Sequence, residues 1–210
     1  MIDFNSRHKL SFDSSKTKIW FTSDTHFGHE NILKYCKRPF ENIDEMNRTI
    51  RDNWNNRVGK DDIVFHLGDF AFASEGYIKR MLDQLNGKKY LIFGNHDWKR
   101  MTKSICENYF EDVSQQMVIR IDGRVIYLNH YPFLAYAGAF RGKDAAWQLF
   151  GHVHTSPYCN DGLDIPRLDY LFPYQYDCGV DNNNFSPVSF EEISKHIKEN
   201  ENKIVEKTKK

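Results

Sequence analysis

Three short runs of apolar and β-branched residues in the first half of the chain stop abruptly at polar residues with chemical capacity. Lys18 to Ser23 leads into Asp24, Ile63 to Leu67 into Gly68-Asp69, and Tyr90 to Phe93 into Gly94-Asn95-His96-Asp97. Runs of this length predict strands, and the polar residues after each predict a loop. Between them the apolar period changes to that of a helix. Ile43 to Val58 places Ile43, Met46, Ile50 and Trp54 on one face, and Ser74 to Leu85 does the same with Ile78, Met81, Leu82 and Leu85. The first half therefore reads as alternating strand and helix.

After about residue 113 the pattern becomes that of hairpins: Val113 to Ile121, a turn at Asp122-Gly123, Val125 to Asn129, then a strand over Gln148 to Phe150. A second sheet is expected there. Ser189-Phe190-Glu191-Glu192 forms a capping box ahead of Ile193 and Ile197, which predicts a terminal helix starting near Phe190. The charged continuation from 198 to 210 is expected to fray, leaving one domain over 1–197. Thr155 to Pro173, with Pro157, Pro166 and Pro173, is expected to be a large loop.

Length and charge narrow the function classes. At 210 residues the chain suits one domain with a substantial core. Its formal net charge is zero, so it lacks the basic surplus of a phosphate-tracking nucleic-acid binder, and nucleic acid is disfavoured as a partner. No run reaches membrane-spanning length and the N-terminus lacks a leader pattern, which predicts a cytoplasmic protein without a membrane partner. Cys36, Cys106, Cys159 and Cys178 are scattered without a CxxC pair, so free thiols are expected rather than a disulfide framework or a thiolate zinc site.

The polar strand ends form a series: Asp24 with His26, Asp69, Asn95 with His96, His130, and His152 with His154. Carboxylate, imidazole and amide donors together suit divalent first-row metals better than a thiolate-preferring ion. The one-residue spacing in Asp24-Thr25-His26 and His152-Val153-His154 puts both polar side chains on one face of an extended strand, and a loop just past a strand could converge them equally well. Taken singly, each piece is commonplace: a Gly-Asp turn, a solvated Asp-x-His, a hydrogen-bonded His130. Five in this order, three of them directly after strand-like runs, favour a functional site.

At these residues the chain resembles the calcineurin-like metallophosphoesterases, in a small bacterial or phage-type form. Their motifs D-x-H, G-D, G-N-H-D/E, H and G-H-x-H correspond to Asp24-Thr25-His26, Gly68-Asp69, Gly94-Asn95-His96-Asp97, His130 and Gly151-His152-Val153-His154. The resemblance spans roughly 19–154 and implies an α/β fold, a four-layer α/β/β/α sandwich of two mixed sheets flanked by helices. It also implies two divalent ions, manganese first and iron, zinc or nickel as alternatives. Asp24, His26, Asp69 and His154 would hold one, and Asn95, His130, His152 and a bridging Asp69 the other. Two cations about 3.5–4 Å apart can share a deprotonated water that attacks phosphorus. His96, outside the ligand set, would protonate the leaving oxygen, and Asp97 would either orient it or cap its loop.

His29 and Arg38 are candidates for substrate phosphate, although an exposed loop role is commoner for both. Tyr131 and Arg141 flank His130 and are candidates to shape the pocket; His66 reads as structural, and His8 and His196 as solvated. The chain has Gly68-Asp69-Phe70-Ala71-Phe72-Ala73 where Ser/Thr protein phosphatases carry G-D-x-x-D-R-G, and Asp97 where they carry Glu. The expected substrate is therefore a small phosphoester such as a nucleotide or cyclic nucleotide. A nuclease and a non-catalytic metal-binding scaffold are the rival readings.

Overall fold

The computed structural model describes residues 10–154, 171 and 173–208. His8, Cys159 and nearly all of the expected 155–173 loop lie outside them. In chain order the strands are β1 (Ser11–Phe12), β2 (Ile19–Thr22), β3 (Ile63–His66), β4 (Lys88–Ile92), β5 (Asp112–Ser114), β6 (Gln116–Ile121), β7 (Arg124–Asn129), β8 (Trp147–Phe150), β9 (Gln175–Asp177) and β10 (Val188–Ser189). The helices are α1 (Ile32–Tyr35), α2 (Ile43–Arg57), α3 (Glu75–Leu82), α4 (Lys103–Tyr109) and α5 (Phe190–Thr208).

Period-two alternation sorts the first sheet's side chains into two cores. Ile19, Phe21, Phe65 and Ile92 point toward the second sheet and pack with Ile119, Ile121, Ile126, Leu128 and Leu149. Trp20, Val64 and Leu91 point the other way, against Ile50 and Trp54 of α2, Ile78 and Leu82 of α3, and Ile105 of α4. The first sheet runs β10-β2-β3-β4-β5, parallel except for β10, and the second runs β1-β6-β7-β8-β9 with one antiparallel pair, β6 and β7. These are the two mixed sheets with flanking helices that the resemblance implies. Among the described residues, no helix is long and apolar enough to cross a membrane.

The expected helix over 43–58 matches α2, capped by the Asn42 side chain accepting from Glu45 N–H at 2.9 Å. The second helix is shorter than expected. Ser74 caps it, but it ends at Leu82, and Leu85 is buried from the turn that carries the chain through Asn86-Gly87 into β4. The run Val113 to Ile121 is not one strand. It divides at Gln115: β5 pairs with β4 in the first sheet and β6 with β7 in the second, so this segment links the sheets. Hydrophobic period cannot show a strand changing sheets. Asp122 (φ 49°) and Gly123 (φ 82°) are both left-handed, as a two-residue hairpin turn requires.

The capping box forms as expected, with Glu192 N–H donating to Ser189 Oγ at 3.2 Å and Ser189 N–H donating to Glu192 Oε2 at 2.8 Å. Ile193 and Ile197 anchor α5 in the inter-sheet core. The helix continues to Thr208, past the boundary at 197 expected for the domain. Straight-chain charged residues, abundant in this stretch, have high helix propensity.

Candidate metal centre

The site lies where the C-terminal ends of β2, β3 and β4 meet those of β7 and β8. Asp24 N–H donates to the Gly68 carbonyl at 2.9 Å, His26 N–H to the Asp69 carbonyl at 3.0 Å, and Gly151 N–H to the His130 carbonyl at 3.0 Å. Neighbouring loops are thus laced together within each sheet, and His152 N–H donating to Asp24 Oδ2 at 2.8 Å joins the two sheets at the site. Five site residues, Asp24, His26, Asp69, His152 and His154, have φ between 48° and 72°. Each such conformation costs on the order of 1 kcal/mol for a residue with a Cβ. Loop convergence, not an extended strand face, brings the D-x-H and H-x-H pairs together. Two motif glycines are explained by close approach: a Cβ on Gly94 would overlap Asp69, and one on Gly151 would overlap Ser23 and Asp24.

The ligating atoms fall into two groups, Asp24, His26 and His154 in one and Asp69, His130 and His152 in the other, each within 4.8 Å. Asp69 stands between them, its Oδ2 3.6 Å from His26 Nε2 and 3.5 Å from His130 Nε2. His154 Nε2 is likewise 3.6 Å from Asp24 Oδ1. These separations exceed a hydrogen bond. They match two ligands about 2.1 Å from one ion at a tetrahedral angle, which stand about 3.4 Å apart. Asp24 Oδ1 and His26 Nε2 are moreover buried without a hydrogen-bond partner. Buried polar atoms are costly unless something engages them, and a hard or borderline cation fits this set of oxygen and nitrogen donors.

Supporting contacts aim the imidazoles. His130 Nδ1 lies 2.8 Å from the Leu67 carbonyl and His154 Nδ1 lies 2.9 Å from Asp181 Oδ2, leaving each Nε2 turned into the site. Burial lowers His154, but the Asp24 charge and the Asp181 hydrogen bond outweigh it and push the imidazole up to about 11. His130 follows the same logic: burial lowers it, while the neighbouring Asp69 and Asp24 carboxylates raise it to about 9. His26 goes the other way, held well below the usual imidazole range by burial and then by the neighbouring cationic groups. Asn95 Oδ1 is 3.2 Å from His130 Nε2, beside the second group.

Several expectations change. Asp97 does not reach the His96 ring; its carboxylate accepts from the N–H groups of Asp69 (2.8 Å), Phe70 (3.0 Å) and Gly94 (2.8 Å). It ties the loop after β3 to the loop after β4, the capping role of the two left open. Arg38 is neither exposed nor available to a phosphate. Its guanidinium pairs with both Asp181 oxygens at 2.8 Å and donates to the Asp24 carbonyl at 2.6 Å and the Thr25 carbonyl at 3.1 Å. His29 is also buried, with Nδ1 3.1 Å from His26 Nδ1, so it supports His26 rather than standing in an exposed loop.

His96 does stand at the site, its side chain 37% exposed and Nε2 3.9 Å from Asp69 Oδ2. Tyr131 is exposed and lies edge-on to His130 and His152, while Arg141 lies on the outer face of the second sheet with Arg120 and Arg124. His66 is buried, 3.0 Å from Thr25 Oγ1, a structural contact. Sequence reasoning missed Asp181. Its carboxyl is raised by burial but lowered more by Arg38 and His154, to about 2, and no motif precedes it.

Two mixed sheets whose loops bring together two adjoining groups of carboxylate and imidazole side chains, each able to hold a metal ion, are the arrangement of a phosphoesterase. Residues 17–205 match the calcineurin-like phosphoesterase family model, and the chain belongs to that family. It is 36% identical over 185 residues to an uncharacterized protein of Methanocaldococcus jannaschii, covering 87% of this chain and 93% of that one. It is 31% identical over 166 residues to the gene 66 protein of Mycobacterium phage L5, covering 66% and 78%. Among solved structures it resembles a protein of unknown function from Aquifex aeolicus, with a TM-score of 0.66, 26% identity, and coverage of 85% of this chain and 98% of that one.

Proposed function

We propose that the chain is a binuclear metal-dependent hydrolase of small phosphoesters such as nucleotides or cyclic nucleotides. The observation that carries this reading is the position of Asp69, whose one oxygen lies 3.6 Å from a ligand of the first group and 3.5 Å from a ligand of the second. Asp24, His26, Asp69 and His154 are assigned to one ion and Asn95, His130, His152 and Asp69 to the other, with manganese the first ion to test. When bound, such a pair lowers the pKa of water and offsets charge on phosphoryl oxygens.

The protein's own share is positioning. Asp69 fixes the spacing of the two groups, and the left-handed backbones of Asp24, His26, His152 and His154 aim side chains that an extended strand would direct elsewhere. His96 stands outside both groups, held by its N–H donating to Asp69 Oδ1 at 2.9 Å, with its ring free to hand a proton to the departing oxygen. A nucleic-acid diester is the second reading, favoured by Tyr131, 43% exposed beside His152, where a base could stack.

The test is hydrolysis of aryl phosphate mono- and diesters by metal-stripped protein re-supplied with manganese, nickel, zinc or magnesium. Metal-dependent turnover that disappears in Asp69→Asn is expected. Full activity in Asp69→Asn would reject the binuclear reading. His96→Ala is expected to keep its metals and to slow esters of poor leaving groups by about 10²-fold or more; loss of metal in that variant would show His96 to be a ligand.

A further inference from the structure

With Arg38 buried beneath the ligands, a different guanidinium stands beside His96. Arg100 follows the Gly94-Asn95-His96-Asp97 turn and is tied to it, its backbone N–H donating to the Asp97 carbonyl at 2.8 Å and one guanidinium N–H donating to the His96 carbonyl at 3.1 Å. Its Cζ lies 3.3 Å from the centroid of the Phe72 ring. That ring also stacks on His29 at 4.4 Å and meets His96 edge-on at 5.7 Å. The guanidinium is therefore held in a plane one ring away from His96. Among the described residues no carboxylate pairs with it, and its other N–H donors are unused.

Fixing an arginine head costs side-chain entropy, and stacking returns only about 0.5–1 kcal/mol at an exposed ring. A half-buried cation, pre-oriented and without an acid partner beside a phosphoryl site, is the arrangement that receives an anion through its fork of donors. Because Arg100 adjoins His96, which faces the leaving oxygen in the proposed mechanism, that anion belongs to the leaving group. We infer that Arg100 is a specificity-determining residue that binds a second anionic group, carboxylate or phosphate, on the leaving-group side of the substrate. This rests on the hydrolase reading for its orientation, but Arg100 can be tested by binding alone.

The probes are 3-phosphonopropionate and propylphosphonate, which share the phosphonate and differ in the second charge, titrated into metal-loaded protein. Native protein is expected to bind 3-phosphonopropionate about tenfold more tightly, the size of one charge-assisted hydrogen bond. Arg100→Gln should abolish that preference while changing propylphosphonate affinity less than about twofold, and Arg100→Lys should retain part of it. Phe72→Leu, which keeps the charge but removes the platform, should reduce the preference. An undiminished preference in Arg100→Gln, equal weakening of both probes, or no preference in native protein would overturn the inference. An Arg100-dependent preference in a protein that hydrolyses no ester would leave the anion site standing and reject the hydrolase reading; turnover without the preference would reject Arg100 alone.

Discussion

The two ligand groups are supported in different ways. Behind Asp24, His26 and His154 stands a buried charged layer: Arg38 grips Asp181 and two backbone carbonyls, Asp181 holds His154, and His29 meets His26. Behind Asp69, His130 and His152 the support comes from the main chain, with the Leu67 carbonyl on His130 and the Asp97-pinned loops beneath Asp69. Asn95 and Tyr131 on that side are exposed. A buried charged layer resists displacement more than an exposed rim does, so the first group should hold its ion more firmly and the second should exchange its ion more readily.

The sharpest way to break this comparison is to remove Arg38. Asp181 and Arg38 are both fully buried, so Arg38→Met leaves that carboxylate with His154 as its remaining partner and should cost about 3 kcal/mol, read as a lower denaturant midpoint. An effect under about 1 kcal/mol would mean that the pair is not what supports the first group. Asp181→Asn is milder. It should weaken metal affinity of the first group by about 10–100-fold while sparing the second; equal loss in both groups would erase the distinction.

The smallest effect separates the groups by pH. Without metal, His154 (about 11) and His130 (about 9) carry protons at pH 7 that a metal must displace from Nε2. Affinity should therefore rise with pH in both groups, by up to about tenfold per unit for each proton released. Between pH 9 and 11 the rise should continue in the first group alone. Calorimetry in buffers of different ionisation enthalpy measures the released protons, and release of none at pH 7 would contradict this.

Much of this architecture was legible because burial follows period: the strands before Asp24, Gly68 and Gly94 and the helix over 43–57 stand where the apolar pattern puts them. The ligand series was legible because each member ends a strand. What was hidden depended on contacts distant in sequence. Nothing around Arg38 shows that it pairs with Asp181, 143 positions away, and the Asp97 side chain could be read as orienting His96 until its three backbone donors were seen. The setting of Arg100 is hidden for a related reason, since Phe72 becomes its platform through the fold and not through spacing.

The most direct test of the shared centre is metal content after equilibrium dialysis at a series of free manganese concentrations, native protein against Asp69→Asn. Two ions per native chain, with affinity lowered for both in the variant, is the predicted result. A single ion in the native chain, or two ions bound as tightly without the Asp69 carboxylate, would contradict a centre in which that residue joins the two groups.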